Sequence, residues 1–376
     1  MPTHNHVNYE ARLAFVRKLL TERFNLEDNF SITPIQYDPD FIFKYNNFVY
    51  HISLPSPLTS DLNAFSQPGT VPIPKGTKDL IIRLGNPSAE GIHHQNRIEN
   101  EVAIINLVSS ALSDAGIQPC ITKLLRQMAK IIKALQEYKL PSTITKYGGL
   151  TFNESGGIAS TAMPTVGAGP WETYEESFRY RLELELEESD ANPYVKGWHG
   201  NGLGKRIEEF VKLGFSEQFE LLGGKDDKVV VHCDFNYDFS WISHPSYEFL
   251  RSFAGLGGQF RGWSVDEENQ EAALRDAKLH GFPESLPVKN DENTDSGIDW
   301  EAAKAWEDAL EEEGVKRPRT MQGIEKVADV DTVLCAILPW RFTNPDIVAR
   351  QTEEVLMKCR EENEKELDGL LKRLGF

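Results

Sequence analysis

The chain has 376 residues, with 58 acidic against 40 basic side chains and a formal net charge of -18. Hydrophobic residues make up 40% and charged residues 26%, a composition that suits one large or two compact folded units and excludes a disordered or fibrous chain. A surface this negative repels phosphate backbones, so no nucleic-acid partner is expected, and no apolar run reaches the roughly 18–20 residues of a membrane span.

Cys120, Cys233, Cys335 and Cys359 stand apart, with no C-x-x-C pair and no histidine cluster beside them. Reduced thiols are expected rather than a disulfide framework or a zinc site. The first ten residues are polar and lack the basic-then-apolar layout of a secretory leader, so the cytoplasm is the expected location.

In chain order, Leu13, Val16, Leu19 and Leu20 predict an amphipathic helix over 9–24. Strands follow over 31–35 and 47–52, where β-branched and aromatic residues alternate with polar ones. A Pro/Ser/Gly-rich connection over 54–76 leads to a third strand over 79–84, stopped by Gly85-Asn86-Pro87. A helix is predicted over 96–108 with Ile98, Val102, Ile105 and Leu107 as its apolar stripe, and another over 121–138 carrying Leu124, Leu125, Met128, Ile131, Ile132 and Leu135. Glycines at 148, 149, 156 and 157 mark a turn-rich hairpin.

Helices with acidic faces are predicted over 171–188 and 204–213. The acid-rich run 265–315 reads as an exposed excursion, with 291–295 its most loop-like part, ending in a helix over 299–313. One long helix is expected over 346–374. No internal repeat is evident.

The run Val229-Val230-Val231-His232-Cys233-Asp234-Phe235-Asn236 carries the most chemistry. An apolar strand feeds a polar segment in which a histidine and an acid stand two apart. Phosphoryl transfer needs one carboxylate to orient the attacking hydroxyl, an acid to hold Mg²⁺ and a basic group on the phosphates. Asp234, Asp238 and Arg83 are the candidates. A dinuclear metallohydrolase would need more histidines at ligand spacing, and His244 has no matching acids around it. A purely architectural reading stays open, in which His232 satisfies a buried hydrogen bond and Asp234 caps a turn.

These residues carry a family resemblance. The chain resembles the fungal branch of the aminoglycoside phosphotransferase-like proteins, which stand with choline kinases and homoserine kinases in the kinase-like superfamily. The resemblance runs in blocks through most of the chain: Tyr45 to Tyr50, Leu80 to Asn86, Asn100 to Ala103, Tyr147 to Phe152, His232 to Asn236 and Ser243 to Leu250. It implies an α+β, bilobal kinase-like fold, with a small amino-terminal sheet lobe over 1–119 and a larger helical lobe over 120–376. It also implies ATP and Mg²⁺ as cofactors and a small-molecule hydroxyl as substrate. By the same resemblance Asp234 is the catalytic aspartate and His232 its structural partner. Asn47 lies in the phosphate-covering segment, without the usual glycines. Arg83 is the basic residue of the third strand, Glu101 the helix acid paired with it, and Asp238 the metal-binding aspartate.

Two departures bear on activity. The position five after Asp234, an asparagine in the family, is Phe239, and the strands and hinge that relatives place near Pro119 are missing. They imply weakened nucleotide and metal binding. The alternative is therefore a catalytically impaired kinase-like binding protein, or the product of a gene reading that lacks internal segments.

Overall fold

The computed structural model describes residues 5–35, 44–62, 68, 70–89, 96–116, 124–232, 241–252, 258–265, 270–287 and 298–376. Asp234 and Asp238 lie outside the described residues, as does the acid run 291–295.

Helix α1 (Tyr9–Arg23) buries Val16 and Leu20 against an antiparallel sheet of β1 (Ser31–Ile35), β2 (Asn47–Ser53) and β3 (Asp79–Gly85), in that order across the sheet. The alternation in β2 sends Phe48, Tyr50 and Ile52 into this first core, with Phe30 and Leu54 beside them. Arg12 of α1 closes the seam: its guanidinium lies 3.7 Å from the Phe48 ring centroid and Nε donates to the Tyr50 hydroxyl at 3.2 Å.

Helix α2 (Arg97–Asp114) runs longer than expected, and of the expected stripe only Leu107 joins its buried face. Ala103, Ile104, Leu107 and Ala111 are inside, whereas Ile98 is 66% exposed and Ile105 is 37% exposed. The helix carries apolar residues on opposite sides. The face that is buried includes Asn100, a polar residue that interrupts the apolar periodicity and hides that face in the sequence.

Helix α3 (Leu124–Glu137) and the hairpin β4 (Gly149–Phe152) and β5 (Ile158–Thr161) follow, in register Thr151↔Ala159. A second core joins Ala103, Ile104 and Leu107 of α2 to Leu135, Leu150, Val230 and Ile242. Helix α4 (Tyr174–Ala191) opens on a reciprocal cap, Thr173 accepting from the Glu176 N–H while the Glu176 carboxylate accepts from the Thr173 N–H. Helix α5 (Leu203–Glu209) passes into a π-turn over Phe210–Gly214, then α6 (Glu217–Glu220). Strands β6 (Val229–Val231) and β7 (Trp241–Ser243) pair antiparallel, Val231 opposite Trp241, and α7 (Ser246–Arg251) follows directly.

The acid-rich run is not simply an exposed excursion. It contains α8 (Gln270–His280), and with α9 (Trp300–Glu313) it builds a small core of Leu274, Ala277, Trp300 and Ala303. The largest core centres on α10 (Ile324–Ile337), an unanticipated helix buried on nearly every side. Its acids Asp329 and Asp331 are buried too, paired with Arg275 and Arg251, so burial does not follow the polar–apolar pattern by which amphipathic periodicity marks a helix.

The expected single helix at the carboxyl end is broken. After α11 (Trp340–Thr343) a short turn, α12 (Pro345–Val348), is separated from α13 (Glu353–Arg373), whose amino end is capped by Thr352 accepting from the Val355 N–H at 3.3 Å. Among the described residues the architecture is α+β, mainly helical with three small antiparallel sheets. Among the described residues no helix is long and apolar enough to cross a membrane.

Candidate functional site

Strand β3 presents Arg83 and helix α2 presents Glu101, and the two side chains form an ion pair. They are 28% and 16% exposed, so the pair is only partly screened by water. One turn earlier on the same face of α2, Arg97 is buried and donates from Nη2 to the Asn46 carbonyl at 3.0 Å and to Asn47 Oδ1 at 2.8 Å. Residues four apart on α2 thus grip both β2 and β3. Asn47, assigned by resemblance to the phosphate-covering segment, is engaged by Arg97 at the start of β2.

The other side of α2 is bolted to the β4–β5 hairpin. Asn100 Oδ1 accepts from the Leu150 N–H at 2.7 Å inside the second core. Glu99 accepts from the Thr151 hydroxyl at 2.9 Å, and Asn96 Nδ2 donates to the Ala162 carbonyl at 2.6 Å. This approach requires glycine at 149, where a Cβ would collide with the Ala162 carbonyl and stand 3.0 Å from Asn100 Oδ1. From the hairpin, Gly148 exchanges both backbone hydrogen bonds with Ile242 of β7, at 3.0 and 2.8 Å. A continuous hydrogen-bonded path therefore runs from β3 through α2, β4 and β7 to β6.

At the end of β6, the His232 backbone N–H donates to Glu248 Oε2 at 2.6 Å. Glu248 is 4% exposed, and its Oε1 accepts from the Ser252 hydroxyl at 2.6 Å. The carboxyl group of α7 thereby pins the strand end that leads into residues 233–240. Burial lowers the His232 imidazole pKa to about 4, so the ring is neutral at physiological pH and acts as architecture rather than as a cation.

His244 is likewise architectural. Its Nδ1 accepts from the Ser246 N–H at 3.2 Å, which leaves Nε2 to donate to the Gly223 carbonyl at 3.2 Å, and its ring stacks on Tyr174 at 5.1 Å.

The structure therefore brings Arg83 and Glu101 together, holds Asn47 on Arg97 and fixes the backbone of His232. Asp234 and Asp238 belong to the connection between the paired ends Val231 and Trp241, outside the described residues. Among the described residues no group of three or more His, Cys, Asp or Glu side chains is placed to hold a metal. Sequence reasoning missed Arg97, Asn100 and Glu248 as individual actors. Arg97 and Asn100 meet partners about fifty residues away, and Glu248 meets the His232 N–H sixteen residues back, so spacing within one segment does not announce these contacts. No family model, curated protein or solved structure matches the chain.

Proposed function

We infer that this chain is a kinase-like phosphotransferase of the aminoglycoside phosphotransferase type, bilobal in plan, which transfers a phosphoryl group from ATP to a hydroxyl of a small molecule. The observation that carries the reading is the Arg83–Glu101 ion pair, which links the third strand of a three-stranded antiparallel sheet to the helix after it. In phosphotransferases of this class such a pair sets a basic group against the nucleotide phosphates.

A guanidinium oriented by one carboxylate and only partly covered fits phosphate oxygens. The carboxylates of Asp234 and Asp238 are of the oxygen-donor type that suits Mg²⁺. Arg83 would hold the phosphates, with Glu101 keeping its side chain in place, and Asp238 would hold the metal. Bound Mg·ATP supplies the phosphoryl group and neutralises its charge. Asp234 accepts a hydrogen bond from the substrate hydroxyl and orients it for attack. His232, its N–H fixed by Glu248, sets where the chain leaves β6 two residues before Asp234.

A second reading is a nucleotide-binding protein without transfer activity. Phe239 stands where the family has a metal-binding asparagine, and the direct pairing of Val231 with Trp241 leaves one short connection to carry both carboxylates.

Calorimetric titration with Mg·ATP, followed by a search for phosphoryl transfer to small hydroxyl compounds, separates the two. Turnover that vanishes in Asp234→Ala supports the enzyme. Nucleotide binding with no Asp234-dependent turnover supports the binding protein. No binding at millimolar Mg·ATP removes both.

A further inference from the structure

Helix α8, the turn Pro318–Thr320 and the last turn of α13 enclose a cleft of about 720 Å³ lined by three arginines, Arg275, Arg319 and Arg373. This concentration stands out in a chain of net charge -18. Asp329 of α10 is shared. Its carboxylate accepts from Arg275 Nη2 at 3.1 Å and from the Trp263 N–H at 2.7 Å, and it lies 3.7 Å from Arg373 Nε. One carboxylate thus serves two guanidiniums.

Arg275 Nη2 also donates to the Glu325 carbonyl at 3.2 Å. Arg275 Nε is buried with no acceptor, and a buried donor left unmet in a folded protein calls for a ligand, ion or water. Burial lowers the pKa of Arg275, with Asp329 opposing it and the neighbouring Arg373 adding to it. Arg319 is exposed and makes no ion pair or hydrogen bond among the described residues. It lies against Gly281, where a Cβ would come within 3.4 Å of its Nη1. Asp276 and Glu325 also line the cleft, but Asp276 lies 3.7 Å from His280 Nε2.

The cleft also has an aromatic wall. Trp263 is half-buried, its ring close to α13 at Gly369, with the Arg373 guanidinium 5.1 Å from the ring centroid.

We propose that this cleft is a binding site for a small phosphorylated molecule, whose phosphate is held by Arg319 and Arg373 and whose organic part lies on Trp263. Guanidiniums match phosphate oxygens with paired donors, and a cleft of this volume suits a metabolite. The residues concerned are separate from Arg83, Glu101 and Asp234.

The test is calorimetric titration of the full chain with inorganic phosphate and with phenyl phosphate. Both should bind, and Arg319→Ala should weaken both by about tenfold or more. Arg319 supports no other described residue, so the variant should keep its melting temperature. Arg83→Ala should leave phosphate binding here unchanged. The proposal is overturned by an absence of binding at millimolar phosphate, by unchanged affinity in Arg319→Ala, or by a loss in Arg83→Ala that Arg319→Ala does not share.

Discussion

The backbone N–H of His232 is held by the buried carboxyl group of Glu248, 2.6 Å away and sixteen residues later in the chain. Strand β6 is only three residues long, so its end cannot be positioned by its own ladder alone. The fixed point comes from the helix that follows its partner strand.

Replacing Glu248 by alanine strands the His232 N–H and the Ser252 hydroxyl without acceptors in a dry interior. The expected cost is about 3 kcal/mol, read by urea denaturation. A loss under about 0.5 kcal/mol would mean that Glu248 does not brace this strand.

Arg83→Ala and Arg83→Lys should behave differently. The pair with Glu101 is partly exposed, so either change costs only about 1 kcal/mol of stability. Nucleotide affinity should fall by about tenfold or more in the alanine variant and less in the lysine variant, which keeps the charge but loses the fork. Equal Mg·ATP affinity in wild type and Arg83→Ala, measured by calorimetry, would remove Arg83 from the nucleotide site.

Gly149→Ala places a methyl group between the Ala162 carbonyl and Asn100 Oδ1. Either the hairpin shifts or the Asn100–Leu150 hydrogen bond breaks, and about 2–4 kcal/mol is lost. Asn100→Ala tests the same joint from the helix side and should cost about 2 kcal/mol by leaving the Leu150 N–H unmet. Thermal melts of both variants report the outcome, and wild-type values for both would show that α2 and the hairpin are not joined there.

Acid should destabilise the fold through His232 and His244. His232 and His244 are each lowered to about 4 by burial, against an unfolded value of 6.5. Above pH 6.5 the rings are neutral in both states. As pH falls from 6.5 towards 4, the unfolded chain takes up protons that the folded one refuses, so stability is lost through that window. Glu185, raised to about 7 by burial, works the other way: folded protein binds its proton first as pH drops from 7. His244→Gln isolates one histidine, and the difference in unfolding free energy between wild type and variant should shrink by about 3 kcal/mol between pH 7 and pH 4. A difference independent of pH would show that His244 is not held neutral.

Some of this was legible in the sequence because its determinants are local. β-Branched alternation marks β1, β2 and β3, and the glycines at 148, 149, 156 and 157 mark the hairpin, since backbone sterics act within a few residues. Helix α2 was recognised, but of its expected stripe only Leu107 lies in the core. Ile98, Val102 and Ile105 form a regular apolar stripe, yet the core lies opposite, around Asn100, because a hydrogen bond to Leu150 makes a polar residue welcome inside. Helix α10 buries Asp329 and Asp331 beside its apolar residues because Arg275 and Arg251 reach them from other elements, and the interruption between α12 and α13 depends on a cap rather than on a breaker residue.

By itself, the sequence determined the order of three strands and a helix that places a basic residue at 83 and an acid at 101, together with an apolar strand leading to His232 and Asp234. Those are matters of local propensity and spacing. Only the tertiary structure decided that Arg83 and Glu101 meet, that Arg97 grips Asn47, that Glu248 pins His232, and that Arg275, Arg319 and Arg373 gather around one cleft. Each joins residues on different elements, and whether they meet depends on how whole faces pack, which periodicity within one segment cannot specify.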